Sequence, residues 1–334
     1  MKVLNVAIVG NGRIGKLHAE NILYRLPEFN LVKVADPFFD DAWCKEHIVI
    51  ATKDVASIFT DEQIDIFLIC TPSSFHTEHI NLAAKNGKHI FCEKPIGLNE
   101  ADIIDAIKMA EYCDVKLQVG FNRRFDTDFA HIKHQIKVKG LGEPHIIRIT
   151  SRDPDCPPEE YIKNSGGIFM DMSIHDFDMA RFLAGSEVVE VFAMGQNLID
   201  PVFKKYDDYD TAVINLKFAN GGLGVIDNSR KAVYGYDQRI EVFSNKGCLR
   251  TKNLLEHNVV FSGEHQVETA KPLCFFLERY RDAFIYQLKS FHAAIVNNEK
   301  PMVDGFDGLQ AIRIARAAKE SAKNNIPVKV ATSL

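Results

Sequence analysis

Three glycines at positions 10, 12 and 15, spaced G-x-G-x-x-G, leave few folds open to this chain. The apolar run Val6 to Val9 precedes them and a helical pattern follows, so the motif sits in a strand-to-helix turn. Gly10 permits the tight turn, Gly12 lets backbone approach a pyrophosphate, and Gly15 lets the helix pack closely on the strand. With Arg13 and Ile14 opening the helix, the first amides of that helix face the phosphate charge. The next strand-like run ends in Asp36, 21 residues beyond Gly15. A carboxylate there can accept both ribose hydroxyls of NAD and would repel a 2′-phosphate. Its neighbours Pro37, Phe38 and Phe39 carry no compensating cation, so the reading is NAD rather than NADP. The plainer alternative is that Asp36 only caps a turn before Pro37.

The first third continues in one rhythm. Apolar runs at Leu31 to Ala35, Ile66 to Ile69, His89 to Cys92 and Lys116 to Val119 alternate with helical stretches such as His76 to Asn86 and Glu100 to Tyr112. Strands apolar on both faces belong in a parallel sheet covered by helices on both sides. The fold class is α/β, with a doubly wound Rossmann domain over residues 1–121. Beyond Phe121 the texture changes. A helical stretch Asp126 to Lys137 precedes a strand near His145 to Ser151, a Pro-rich loop, and a helical Met172 to Leu183. Strand-like runs from Val188 to Arg250 are punctuated by Asn220-Gly221-Gly222 and Asn245-Lys246-Gly247, as in antiparallel hairpins, and two helical patterns close the chain. Residues 122–334 are therefore expected to form one α+β domain.

Composition removes several classes of function. Forty basic and forty-five acidic residues give a net charge of −5 with no basic block, which argues against nucleic acid. No apolar stretch reaches bilayer length, and the opening apolar run reads as a strand rather than a leader. Seven scattered cysteines without a C-x-x-C pair suggest neither a disulfide framework nor a metal site, and read as reduced thiols of a cytoplasmic protein.

Two further segments carry chemistry. Cys92-Glu93-Lys94-Pro95 follows a strand at the carboxyl edge of the sheet, where ligands of open α/β sheets bind. Lys94 could hold a substrate hydroxyl and stabilise charge on its oxygen, with Pro95 restricting its backbone. Asp171 and His175 lie four apart in a helical pattern, so they share a face: His175 as proton acceptor, Asp171 as its supporting carboxylate. An acid at a helix start beside a core histidine is the equally open alternative.

Together Gly10 to Gly15, Glu93-Lys94-Pro95 and Ser165-Gly166-Gly167 with Asp171-Met172-Ser173-Ile174-His175-Asp176-Phe177-Asp178 resemble the glucose-fructose oxidoreductase/inositol dehydrogenase/rhizopine catabolism family, especially its myo-inositol-oxidising members. Local likeness extends through Ser151-Arg152-Asp153-Pro154, Asn228-Ser229-Arg230 and Tyr234 to Arg239. The resemblance implies a second domain with a large, mostly antiparallel open sheet whose exposed face builds a homo-oligomer, a tetramer or dimer. It implies Lys94, Asp171 and His175 as the catalytic set, Asn122 near the nicotinamide or substrate, and Arg152, Asp155 and Tyr236 as contacts to substrate hydroxyls. Thr71, Pro72, His76 and Glu93 would line the cofactor side. Tyr236 packed beside a turn, and His76 as a plain helix-start residue, are the alternatives. The implied activity is NAD-dependent oxidation of a cyclic polyol, myo-inositol to 2-keto-myo-inositol. Its rivals are a scyllo-inositol or aldose dehydrogenase, a non-catalytic NAD-binding redox sensor, and an enzyme that retains NAD for a transient oxidation.

Overall fold

The computed structural model describes residues 2–334. The apolar run before Gly10 forms β1, Leu4–Val9, and Gly10 turns the chain into α1, Arg13–Arg25. The chain then continues through β2 (Phe29–Ala35), α2 (Asp41–Glu46), β3 (Ala51–Thr52), β4 (Ile66–Ile69), α3 (His76–Lys85), β5 (His89–Cys92), α4 (Glu100–Tyr112) and β6 (Leu117–Val119). All neighbouring strands pair in parallel in the order β3-β2-β1-β4-β5-β6. Order reverses between β1 and β4, the position where doubly wound sheets open a crevice at the strands' carboxyl ends. All four β4 residues are buried, as a strand covered on both faces requires.

The second region begins with α5, Thr127–Val138, whose first amides are capped by Asp126. It contains β7 (Ile146–Arg152), α6 (Glu159–Asn164), α7 (Ile168–Asp171), α8 (Ser173–Ala184), β8 (Val188–Gln196), α9 (Val202–Lys205), β9 (Thr211–Phe218), β10 (Leu223–Ser229), β11 (Asp237–Ser244) and β12 (Gly247–Arg250). A small hairpin follows, β13 (Val260–Ser262) with β14 (Val267–Thr269), and then α10 (Phe276–Arg279), α11 (Arg281–Val296), α12 (Gly305–Asn324) and β15 (Val328–Lys329). Seven strands form one mixed sheet in the order β12-β11-β7-β10-β9-β8-β15, antiparallel except where β10 meets β7. Both expected hairpins occur, at 220–222 and 245–247.

Two compact units result, and their boundary is not a single cut near residue 121. One unit runs to Asn122 and also takes 284–310 and Leu334; the other comprises 123–283 and 311–333. The reason is hydrophobic: Leu288 and Phe291 of α11, both fully buried, join Leu4, Ile8, Ile66, Leu68 and Phe91 in the core of the parallel-sheet unit. All seven cysteines are free, and no helix among the described residues is long and apolar enough to cross a membrane.

Candidate active site

In the parallel-sheet unit the glycine loop has the form its spacing predicts. Gly10 has φ +101°, and a side chain there would meet the Cys70 carbonyl at 2.6 Å. A Cβ on Gly15 would lie 2.0 Å from the Gly10 oxygen, so helix and turn can touch only through glycine. Gly12 has open space where its Cβ would point. Gly12 is also the N-cap of α1, supplies no side-chain cap, and is followed by a first turn without an acidic residue. Uncapped amides beside open space suit a pyrophosphate. Asp36, at the tip of β2, accepts the Asn11 amide through Oδ2 at 2.6 Å and the Phe38 amide through Oδ1 at 2.7 Å. It therefore does cap the Pro37 turn, and it also ties the ribose-side strand to the glycine loop. The nearby Lys16 is paired to Asp40 at 2.7 Å. Glycine loop, helix start and acid thus fit an NAD adenosine half.

Beyond β5 the lysine loop is braced from behind. Glu93 Oε1 lies 2.7 Å from Nε2 of the fully buried His18 on α1, and Glu93 Oε2 accepts the Lys94 amide at 3.3 Å. A Cβ on Gly120 would come within 2.9 Å of that carboxylate. Glu93 therefore faces α1 and its own loop. Lys94 is half-buried and its bond to Pro95 is cis. The His76 ring is 1% exposed, with Nδ1 2.7 Å from the Pro95 carbonyl and Nε2 2.8 Å from that of Thr71. Burial lowers its basicity against the pull of those two carbonyls. It splices the Thr71-Pro72 loop to the lysine loop. Asn122 is buried at the start of a short 3₁₀ turn, Asn122–Phe125.

His79 lies between Phe59 and Phe75, with ring centroids 5.5 and 6.0 Å away, and is pushed down to about 4, first by burial and then by His76. The unfolded chain takes up this proton near pH 6.5 and the folded chain does not, so stability falls as pH drops through that window. The loss should approach about 3 kcal/mol by pH 4. Urea midpoints across this range should fall less steeply in His79→Phe; an unchanged slope would refute the assignment.

In the mixed-sheet unit the Asp-His segment is not one continuous helix. Asp171 ends α7, Met172 interrupts it, and His175 lies in the first turn of α8, where its amide donates to the Met172 carbonyl at 3.3 Å. Asp176 anchors α8 from below. Its Oδ1 accepts Arg123 Nη1 and Ser151 Oγ, each at 2.6 Å, and its Oδ2 accepts Asn228 Nδ2 at 2.8 Å. Burial raises its pKa, and those donors oppose the rise. Asp171 accepts Tyr161 Oη on one oxygen at 2.7 Å and Arg230 Nη2 on the other at 3.0 Å. Arg230 also reaches Asp153 at 3.3 Å.

The remaining expected contacts divide by face. Ile147, Ile149 and Ser151 of β7 are buried toward α8, whereas Arg148, Thr150 and Arg152 alternate to the other face. Arg152 is thus turned away from α8, bonded to Asp227 at 2.7 Å and to the Tyr234 hydroxyl at 3.0 Å. Asp155 is exposed and paired with Lys231 at 2.9 Å. Strand parity sets the direction of Arg152, and loop exposure sets the surroundings of Asp155. Tyr236 is buried edge-on to Tyr280, and its hydroxyl is pushed well up chiefly by burial, with Arg123, Asp153 and Asp176 among its electrostatic neighbours. Sequence reasoning missed Asp153, Arg123 and Arg230. Period-two alternation from Ser151 to Asp153 and from Asn228 to Arg230 was the available signal.

Residues 4–121 match the oxidoreductase family with an NAD-binding Rossmann fold, and residues 129–250 match the GFO/IDH/MocA C-terminal domain. The chain is 46% identical over 332 residues to the uncharacterized oxidoreductase YrbE of Bacillus subtilis, spanning 98% of this chain and 97% of that one. It is 46% identical over 330 residues to the myo-inositol 2-dehydrogenase of Thermotoga maritima, spanning 98% of each. Scyllo-inositol dehydrogenase from Lactobacillus casei, solved with bound cofactor NAD(H) and scyllo-inositol, aligns with a TM-score of 0.91 at 32% identity, covering 98% and 99% of the two chains. A glycine loop built for a dinucleotide, a mixed open sheet carrying the Asp-His segment, and matches over both regions make this chain a member of the GFO/IDH/MocA family of NAD-binding oxidoreductases.

Proposed function

We propose that this protein oxidises a secondary alcohol of a cyclic polyol at the expense of NAD, converting myo-inositol to 2-keto-myo-inositol (scyllo-inosose). The observation that carries the reading is end-to-end likeness to a myo-inositol 2-dehydrogenase in a chain that retains the open glycine loop, Asp36, Lys94, Asp171 and His175. When bound, NAD supplies the acceptor for the hydride of the carbinol carbon. Gly10, Gly12, Arg13, Ile14 and Gly15 hold its pyrophosphate, and Asp36 holds its adenosine ribose. His175 accepts the hydroxyl proton, Lys94 donates a hydrogen bond to the same oxygen, and Asp171 supports the charge that His175 acquires. Asn122, Arg152, Asp155 and Tyr236 are the further candidates for substrate contact. Copies of the chain associate as a dimer or tetramer through the open sheet face; Met194, Val213, Leu223 and Phe243, all 39–50% exposed, support that part of the reading. The free thiols support a cytoplasmic location.

Initial rates on myo-inositol, scyllo-inositol and aldopyranoses, each with NAD and NADP, test the proposal. The highest kcat/KM is expected for myo-inositol with NAD. A preference for scyllo-inositol or an aldose would replace the substrate while keeping the chemistry. No NADH from any polyol would refute the oxidation.

A further inference from the structure

We infer that Arg230 and Tyr161 are positioning residues for the Asp171-His175 pair, holding Asp171 ionised and oriented so that His175, not Asp171, receives the substrate proton. This rests on the proposed role of His175. Arg230 is the residue that follows β10 and its side chain is 4% exposed, so its guanidinium sits among carboxylates with little water. Three carboxylates face it: Asp171 from α7, Asp153 from the loop after β7, and Asp208 from the loop after α9. Burial and the neighbouring Asp171 raise the Asp153 pKa against the pull of Arg230, so Asp153 competes with Asp171 for the same guanidinium. Asp208 is engaged elsewhere, accepting the Ile168 and Tyr209 amides at 2.7 Å each. Arg123 acts on Asp153 and Lys319 on Asp208 from further away.

The two donors to Asp171 approach different oxygens from different elements, α6 and the end of β10. That geometry fixes the carboxylate plane and penalises its protonation, since a proton would have to displace the Tyr161 hydroxyl or face the guanidinium. Without the cation, Asp171 would keep the Tyr161 hydroxyl against protonation but lose the guanidinium, and Asp153 would stand beside it without that shared counter-charge. His175 would lose its anionic support whenever Asp171 was protonated.

The pH dependence of kcat/KM separates this role from plain scaffolding. Arg230→Met is expected to move the acidic limb of the profile upward by about 1–3 pH units. Arg230→Lys should return it most of the way. Tyr161→Phe changes an exposed side chain and should fold normally; it should shift the limb in the same direction by a smaller amount. Should Arg230→Met fail to fold, Arg230→Met with Asp153→Asn removes one carboxylate with the cation, and Tyr161→Phe still reports. NAD affinity, read by fluorescence quenching, should stay within about threefold in every variant. An acidic limb unmoved in Tyr161→Phe and in the folded Arg230 variants would overturn the inference while leaving the role of His175 intact. Full activity in His175→Ala would instead remove the reading on which it rests.

Discussion

Alanine at His175 is expected to reduce kcat by about 10²–10⁴-fold, the usual worth of a positioned general base. The fold should survive, because the first turn of α8 is anchored by Asp176 through Arg123, Ser151 and Asn228, while His175 itself is only half-buried. NAD affinity should be almost unchanged, since the glycine loop and Asp36 belong to the other compact unit. The residual rate should also lose the acidic limb of its pH profile, because the group that titrates there has been removed. Stopped-flow NADH formation with an independent NAD-binding assay separates these effects. Loss of NAD binding with turnover intact would contradict the assignment.

Lys94→Ala is expected to lower kcat by about 10²–10³-fold, comparable to deleting a fixed donor to a charged oxygen. Lys94→Arg should restore little, because a guanidinium fork does not place a donor where an ammonium does. The loop itself should hold its place, since it is braced from elsewhere: His18 on Glu93, the Lys94 amide on the same carboxylate, and His76 between Thr71 and Pro95. A drop in melting temperature with kcat unchanged would make Lys94 structural.

Much of the parallel-sheet unit was legible because buried parallel strands announce themselves as apolar runs, and because the three glycines have steric consequences that only one turn satisfies. The expected segments Ile66 to Ile69, His89 to Cys92 and Glu100 to Tyr112 coincide with β4, β5 and α4. The return of α11 to that core was not legible: Leu288 and Phe291 meet Leu4 and Phe91 across most of the chain, and no local pattern encodes such a partner. The interruption at Met172 was hidden for a related reason. The helical period runs through it, while the anchoring of α8 depends on Ser151 and Asn228 from distant strands.

Arg152 and Arg230 show the limit most sharply. Both are arginines at the carboxyl ends of strands, and residue type alone favours neither. Parity decides: Arg152 falls on the open face with Asp227, and Arg230 falls inward with Asp153 and Asp171. Carboxylate partners of this kind come from loops whose course is set only once the sheet has formed, so they cannot be counted off along the chain.

The proposed oxidation requires Lys94 and His175 to serve one and the same alcohol oxygen, and a double-mutant cycle on kcat/KM with myo-inositol measures that coupling. If both act on that oxygen, Lys94→Ala with His175→Ala should lose little more than the worse single variant, within about tenfold, as groups that work as a unit do. Losses that multiply in full would show two independent contributions and contradict the account.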